Sequence, residues 1–291
     1  MKHSPQTDPH VFDWDDIELP DTWADRLVFK RLSDLLLFAR KIRGKQIEAV
    51  ELPEHLPVNA KLPKYILQEF HNLPNGNYSK QISRGYINGF DKSMLGKMAH
   101  VRKKIAVDLK GRNSILDIGC AGGKMTDAAQ SFGASDVWGL DPSPYLLKHA
   151  AAAYPDLKWV QGLAENTGFP DERFEGISVC FVFHEIPPRF INQALQEFHR
   201  ILQTGGIVSI AEPAPEQLLC SYWQMFKDFG FLGLYFSMLA KKVHEPFVKA
   251  WHKLNYSELA EQNGFELLED DTQMPVRYFV FRKKCFKKKV F

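Results

Sequence analysis

From Ser114 onward, short runs of β-branched and aromatic residues alternate with stretches whose apolar positions recur every three or four residues. That alternation predicts a largely parallel sheet with helices on its faces. The expected strands are Ser114–Ile118, Asp136–Leu140, Lys158–Gln161, Gly176–Phe183 and Ile207–Ile210. The fourth is apolar almost throughout, as a central strand buried on both faces should be. Helices are expected at Lys124–Phe132, Pro144–Tyr154 and Arg189–Leu202. The last carries the stripe Phe190, Ile191, Ala194, Leu195, Phe198, Ile201 and Leu202, and Gly205-Gly206 should stop it. The ending differs. A helix over Tyr256–Gln262, capped by Gly264, precedes strands at Phe265–Leu268 and Val276–Phe281. Their short connection makes them antiparallel. The expected class is α/β, with one strand reversed near the sheet edge.

Two segments lie outside this alternation. Residues 1–99 read as a mainly helical N-terminal extension, with helical candidates at Leu27–Ile42 and Tyr65–Phe70. Residues 100–291 hold the sheet, with a helical insertion after the fifth strand at 214–254 that is rich in aromatics, among them Tyr222, Trp223, Phe226, Phe231, Phe247 and Trp251.

With 291 residues and 45% hydrophobic side chains the chain can bury a large core. A net charge of +2 makes no case for nucleic acid. Charge is uneven, however: Asp8, Asp13, Asp15, Asp16, Glu18 and Asp21 crowd the start, and Arg282, Lys283, Lys284, Lys287, Lys288 and Lys289 crowd the end. The basic run is expected to be a solvated tail. Cys120, Cys180, Cys220 and Cys285 are scattered, which suits reduced thiols in a cytoplasmic protein. Met1–Asp21 has no apolar signal core, and Phe226–Ala240 is too short and too interrupted by Lys227, Asp228, Gly230 and Gly233 to span a bilayer.

The chemistry gathers at Ile115-Leu116-Asp117-Ile118-Gly119-Cys120-Ala121-Gly122-Gly123. A strand, a glycine-rich turn and a helix aim several backbone N–H groups at one ligand, and glycine lets that ligand approach closely. Asp141 ends the next strand, where a carboxylate can accept hydrogen bonds from both ribose hydroxyls of an adenosine. A nicotinamide fingerprint wants a third glycine where Lys124 stands, and a P-loop wants Ser or Thr where Met125 stands. Asp117 would repel a pyrophosphate and attract an ammonium or sulfonium group.

This glycine turn resembles the first motif of the class I S-adenosylmethionine-dependent methyltransferases, and in particular their ubiquinone/menaquinone-biosynthesis-like small-molecule group. Val137-Trp138-Gly139-Leu140-Asp141 is similar to the family's acidic second motif, and Ala164-Glu165 with Phe169–Glu175 to the approach to its fourth strand. Phe181–Pro187, Arg200–Gly206 and Glu212-Pro213 resemble the segments that follow. The resemblance covers about residues 100–213, and 255–284 by layout. It implies a Rossmann-like seven-stranded sheet and S-adenosylmethionine as cofactor, with S-adenosylhomocysteine as product. Position by position, it implies that Asp117 balances the methionine amino group, that Gly119, Cys120, Ala121 and Gly123 line the methionine part, and that Asp141 and Pro142 hold the ribose. Ala164 and Glu165 would meet the adenine, and Cys180 and Phe181 would border the methionine tail. Ala121 replaces the usual second glycine, which is comfortable only at negative φ.

His184 and Glu185 sit at the carboxyl end of the fourth strand, where a base could act on an acceptor. No second histidine follows at a zinc spacing, so no metal is expected. The region upstream of the sheet would fold over the cofactor as a lid, with Tyr78, Arg84 and Tyr86 as contacts and Tyr86 also as a catalytic candidate. The aromatic insertion, through Tyr222 and Trp223, would roof an apolar acceptor pocket. The expected function is methyl transfer to a small, partly apolar or aromatic acceptor at O, N, S or C. The alternatives are a protein acceptor, or a non-catalytic cofactor-binding protein whose N-terminal region meets a partner.

Overall fold

The computed structural model describes residues 6–43, 48–54, 56 and 62–285. Seven strands form one sheet: β1 (Ser114–Ile118), β2 (Asp136–Asp141), β3 (Lys158–Gln161), β4 (Phe174–Cys180), β5 (Leu202–Pro213), β6 (Phe265–Gln273) and β7 (Val276–Lys283). Their order is β3-β2-β1-β4-β5-β7-β6. All neighbours pair parallel up to β5, and β7 runs antiparallel to both β5 and β6. The expected single reversed strand is therefore β7, second from the edge. The chain leaves β1 toward β2 and β3, then returns to β4 on the other side. A crevice opens at such a switch point, beyond the carboxyl ends of the strands.

The helices are α1 (Leu32–Ile42), α2 (Lys80–Ser93), α3 (Lys97–Asp108), α4 (Lys124–Ser131), α5 (Pro144–Ala153), α6 (Pro188–Ile201), α7 (Glu216–Leu219), α8 (Tyr222–Ala240), α9 (Val248–Trp251) and α10 (Tyr256–Gln262). Alternation along the strands sorts the core into two faces. Leu116, Ile118, Ile177, Val179 and Ile210 pack with α6 and α10. Ile115, Val137, Ile207, Tyr278 and Val280 pack with α3, α4 and α5. The predicted stripe on α6 is buried at Ile191, Ala194, Leu195, Phe198 and Ile201.

Four expectations need correction. Tyr65–Phe70 is not a helix: turns lead into a 3-10 turn at Phe70–Asn72, where His71 and Asn72 take left-handed φ values of 56° and 61°. Helix α2 lies inside the expected extension and α3 begins at its end and runs on past residue 99; neither was among the expected helices. Ser79 caps α2 by accepting a bond from the Ile82 N–H, and Met98, Val101 and Ile105 form a buried stripe on α3. Strand β4 stops at Cys180 rather than Phe183. There Phe181 has φ 61°, and the Glu212 carboxylate accepts the N–H groups of Val182, Phe183 and His184. Strand β5 starts earlier than expected, but its pairing with β4 jumps from Phe174–Leu202 to Gly176–Ile207, so Gly205-Gly206 still interrupts the ladder.

The N-terminal segment straps onto the sheet. Trp14 donates its indole N–H to the Trp159 carbonyl at 3.1 Å. Asp25 accepts from Ser79 Oγ and the Gln81 N–H at the start of α2. Lys41 on α1 is buried against the Glu69 carboxylate at 2.8 and 2.9 Å. At the other end, Arg282 and Lys283 belong to β7, and Lys283 is buried with its ammonium on the Leu202 carbonyl, so this part of the basic run is not a solvated tail. Lys287, Lys288 and Lys289 lie outside the described residues. Among the described residues no helix is long and apolar enough to cross a membrane.

Candidate active site

The glycine turn joins β1 to α4 at the switch point. The N–H groups of Gly119 and Cys120 both donate to the Leu140 carbonyl, at 2.8 and 3.1 Å, which ties the turn to the end of β2. Each glycine is required for a different contact. A Cβ on Gly119 (φ 64°) would meet a Val182 methyl at 2.5 Å, one on Gly122 would meet Ile87 of α2 at 2.6 Å, and one on Gly123 (φ 82°) would meet the Trp159 ring at 2.5 Å. Ala121 has φ 46°, so the negative φ that would make alanine comfortable is absent. Its N–H donates to Asp141 Oδ2 at 3.0 Å, while Asp141 Oδ1 takes the Ser143 N–H at 2.8 Å. Burial raises the Asp141 pKa to about 7.

A cavity lies over this turn. Gly119, Cys120, Ala121, Asp141, Pro142, Ala164, Cys180, Phe181 and Glu185 line it, and Tyr78 and Tyr86 close it from the N-terminal side. So do Ile87, Phe90 and Asp91 of α2, which makes that helix the wall opposite the turn. Asp91 holds Arg102 in a two-pronged pair at 3.0 and 2.8 Å and also takes Lys124 at 3.0 Å. Burial pushes the Asp91 carboxyl up, and these two cations outweigh it and hold it below its ordinary value. Arg102 and Lys124 line the cavity as well. Neither was foreseen in that role, although a cation directly after the glycine turn was visible as Lys124. Burial pushes the Cys120 and Cys180 thiols up, so neither is a reactive thiolate.

A second cavity of about 560 Å³ adjoins the first and is largely apolar. Tyr86, Phe90 and Phe181 belong to both walls. From the insertion, Gln217, Leu239, Ala240, Val243 and Glu245 line it. The aromatics expected to roof it do not. Tyr222 and Trp223 are 45% and 71% exposed and border neither cavity, and Arg84 is exposed too.

Three further site expectations are corrected. Asp117 lies buried beneath the turn, outside the cavity lining, with its oxygens taken by Thr126 and Ser178 hydroxyls at 2.7 Å each. Burial raises its pKa to about 6. Glu165 accepts from the Tyr65 hydroxyl at 2.8 Å, and Tyr65 lines the cavity in its place. His184 is fully buried and borders neither cavity; its Nδ1 faces Glu212 at 2.5 Å. Burial lowers its pKa, but the Glu245 and Glu212 charges outweigh that and hold it well above the ordinary value. Of the three catalytic candidates, Glu185 and Tyr86 reach the cavity.

The fold also brings in partners that no spacing disclosed. His71 Nε2 stands 3.3 Å from Glu185 and 3.4 Å from Glu245, and His184 Nε2 stands 3.6 Å from Glu245. Burial pushes the Glu185 carboxyl up, against the pull of the His71 and His184 charges.

Residues 116–210 match the family described as a methyltransferase domain. The matched stretch runs from β1 to β5, about a third of the chain, and over it the chain is similar to a methyltransferase domain. An uncharacterized methyltransferase of Synechocystis is 35% identical over 98 residues, 34% of this chain and 46% of its own length. A demethylmenaquinone methyltransferase of Chlorobaculum tepidum is 32% identical over 113 residues, 38% of this chain and 46% of its own length. The chain thus spans about half the length of these curated relatives. Among solved structures, a chain of the complex between the Haloferax volcanii Trm112 methyltransferase activator and a methyltransferase aligns with TM-score 0.50 at 16% identity, over 68% of this chain and 94% of that one, which supports the fold.

The cofactor such a methyltransferase domain implies is S-adenosylmethionine, and the cavity fits it. Tyr78 Oη and Asn77 Oδ1 are buried without a hydrogen-bond partner, and both residues line the cavity, so polar groups there await a ligand. An ionised Asp141 keeps lone pairs beyond its two amide bonds for ribose hydroxyls. Arg102 and Lys124 suit a methionine carboxylate. What the domain lacks at the cavity is Asp117, so a charge for the amino group must come from elsewhere, and Asp91 is the carboxylate on that wall.

Proposed function

We propose that this chain transfers the methyl group of S-adenosylmethionine to a small, partly apolar or aromatic acceptor. One observation carries the proposal: the cavity over the glycine turn and the apolar cavity share the wall formed by Tyr86, Phe90 and Phe181. A cofactor and an acceptor on either side of that wall can meet there. The bound cofactor supplies a sulfonium-activated methyl, whose carbon–sulfur bond breaks as the acceptor's bond forms, leaving S-adenosylhomocysteine. Such displacement needs chiefly alignment and exclusion of water.

The residue roles follow from position. Asp141 would hold the ribose, Ala164 and Tyr65 would flank the adenine, and Gly119, Cys120 and Ala121 would carry the methionine part with Arg102 and Lys124 on its carboxylate. Residues 1–99 would act as the lid through Tyr78, Tyr86 and Phe90. Burial first, then the Glu185 and Asp141 carboxylates, push the Tyr86 phenol well above its ordinary pKa. It therefore stays neutral, a hydrogen-bond donor to the acceptor rather than a base. Relatives named as demethylmenaquinone methyltransferases make a flat, quinone-like ring the first acceptor to try. A cytoplasmic location belongs to the same proposal and rests on the scattered thiols.

The test is incubation with S-adenosylmethionine labelled in its methyl group, against a panel of reduced quinone precursors, phenols and small thiols, and against cell protein. Label entering a small molecule is the expected result. Label entering protein instead would replace the acceptor class. Micromolar binding of S-adenosylhomocysteine with no transfer to anything would overturn the enzymatic reading in favour of a non-catalytic cofactor-binding protein.

A further inference from the structure

We infer that His71, His184, Glu185 and Glu245 form a binding site for a divalent transition-metal ion at the boundary of the two cavities. Two imidazoles and two carboxylates are a ligand set suited to zinc and its neighbours. Ligand atoms of His71, His184 and Glu185 all lie within 4.8 Å of one another. A tetrahedral ion with bonds of about 2.0–2.1 Å separates its ligand atoms by about 3.3–3.4 Å. The separations found are 3.3 Å for His71 Nε2 to Glu185, 3.4 Å for His71 Nε2 to Glu245 and 3.6 Å for His184 Nε2 to Glu245. These three separations match edges of a coordination tetrahedron and are longer than good hydrogen bonds.

A second observation points the same way. His184 Nε2 is buried with no hydrogen-bond partner, on a residue with no exposed surface, and it is aimed into the cluster. Its other nitrogen is committed. Glu212 already accepts three backbone N–H groups and so faces His184 Nδ1 as an acceptor at 2.5 Å. Nδ1 must then donate, which makes Nε2 the nitrogen that can give up its proton to bind an ion. Metal-bound histidines are commonly oriented by such a carboxylate.

The four side chains come from three separate segments that the backbone clamps together. The His71 N–H donates to the His244 carbonyl at 3.1 Å, and the His244 N–H donates to Asn72 Oδ1 at 3.0 Å, which sets His71 beside Glu245. The left-handed φ of His71 and Asn72 is the local cost of that placement. Glu185 lines the first cavity while His71 and Glu245 line the second. An oxygen or sulfur of the acceptor could therefore enter as a fifth ligand, or in place of one carboxylate, and lose its proton to solvent, becoming the nucleophile. That last step rests on the methyl-transfer proposal; the binding of an ion does not.

The experiment uses the full chain, stripped with a chelator, dialysed and titrated with Zn²⁺ by calorimetry and with Co²⁺ by visible absorption. One equivalent of Zn²⁺ with micromolar or tighter affinity is expected, along with the intense absorption of tetrahedral Co²⁺. Glu245→Gln, which preserves shape, and His71→Ala should each weaken binding at least 100-fold, and Glu212→Gln some 10- to 100-fold. His149→Ala, at a half-buried histidine whose ring meets the Lys80 carbonyl, should change nothing. Absence of a one-equivalent site in the wild-type chain, or wild-type titrations from both Glu245→Gln and His71→Ala, would overturn the inference. Circular dichroism confirms that each variant is folded. S-adenosylhomocysteine binding in the same samples reports separately on the methyltransferase proposal.

Discussion

Asp141→Asn should separate cofactor binding from stability, because one carboxylate serves the first at the expense of the second. Asp141 is almost fully buried, and burial raises its pKa from 3.8 to about 7. In the unfolded chain it releases its proton near pH 4, while in the unliganded fold it keeps it up to about pH 7. Between these values the folded state binds more protons, so stability falls as pH rises from about 4 to about 7. At 1.36 kcal/mol per pKa unit the full loss is about 4 kcal/mol, of which about 3 falls above pH 5. Asparagine does not titrate. Its single carbonyl can serve only one of the Ser143 and Ala121 amides, which costs about 1–3 kcal/mol for the other. Without ligand, the variant's melting temperature should therefore rise relative to wild type by about 6 °C between pH 5 and pH 8, at about 2 °C per kcal/mol. Cofactor binding should move the opposite way. Two charge-assisted hydrogen bonds to ribose contribute about 1.5–3 kcal/mol each, so S-adenosylhomocysteine should bind at least about 100-fold more weakly at pH 8. In the wild type its affinity should fall about tenfold per pH unit below 7, since the proton must leave before the ribose can bind. Scanning fluorimetry across pH and calorimetry measure both. A melting difference flat from pH 5 to pH 8, or an affinity loss under tenfold, would refute the assignment of Asp141.

Two more substitutions test the scaffold of the site. Ala121→Gly relieves a left-handed alanine worth about 1–2 kcal/mol and raises unfolded-state entropy by somewhat less, so urea denaturation should show equal or greater stability; a loss beyond 1 kcal/mol would argue against the strained turn. Lys41→Ala leaves the Glu69 carboxylate buried without its cation, with both side chains at or below 2% exposure, and should cost about 3–5 kcal/mol in the same assay. A loss under 1 kcal/mol would show that α1 is not held to the segment around Glu69 by this pair.

Alternation and periodicity alone carried the sheet, because strands buried on both faces and helices buried on one leave unambiguous patterns in a chain. Every predicted strand exists, α6 buries the predicted stripe, and the glycine turn and Asp141 stand at the switch point where ligands bind. The misses at the site share a cause, which is competition for a side chain or a backbone group by a partner distant in sequence. Asp117 looked like a ligand's counter-charge, but Thr126 and Ser178 use both its oxygens. Phe181–Phe183 looked like strand, but Glu212 captures the amides of Val182, Phe183 and His184. Tyr222 and Trp223 had the right chemistry for a roof, yet α8 turns them outward. His184 had no zinc partner within reach of a motif, because its partners are His71 and Glu245 on segments that meet only when the backbone at 71–72 clamps onto 242–244. Local patterning determines which elements form. Which polar groups meet in the space between them depends on long-range packing, and one-dimensional spacing does not encode it.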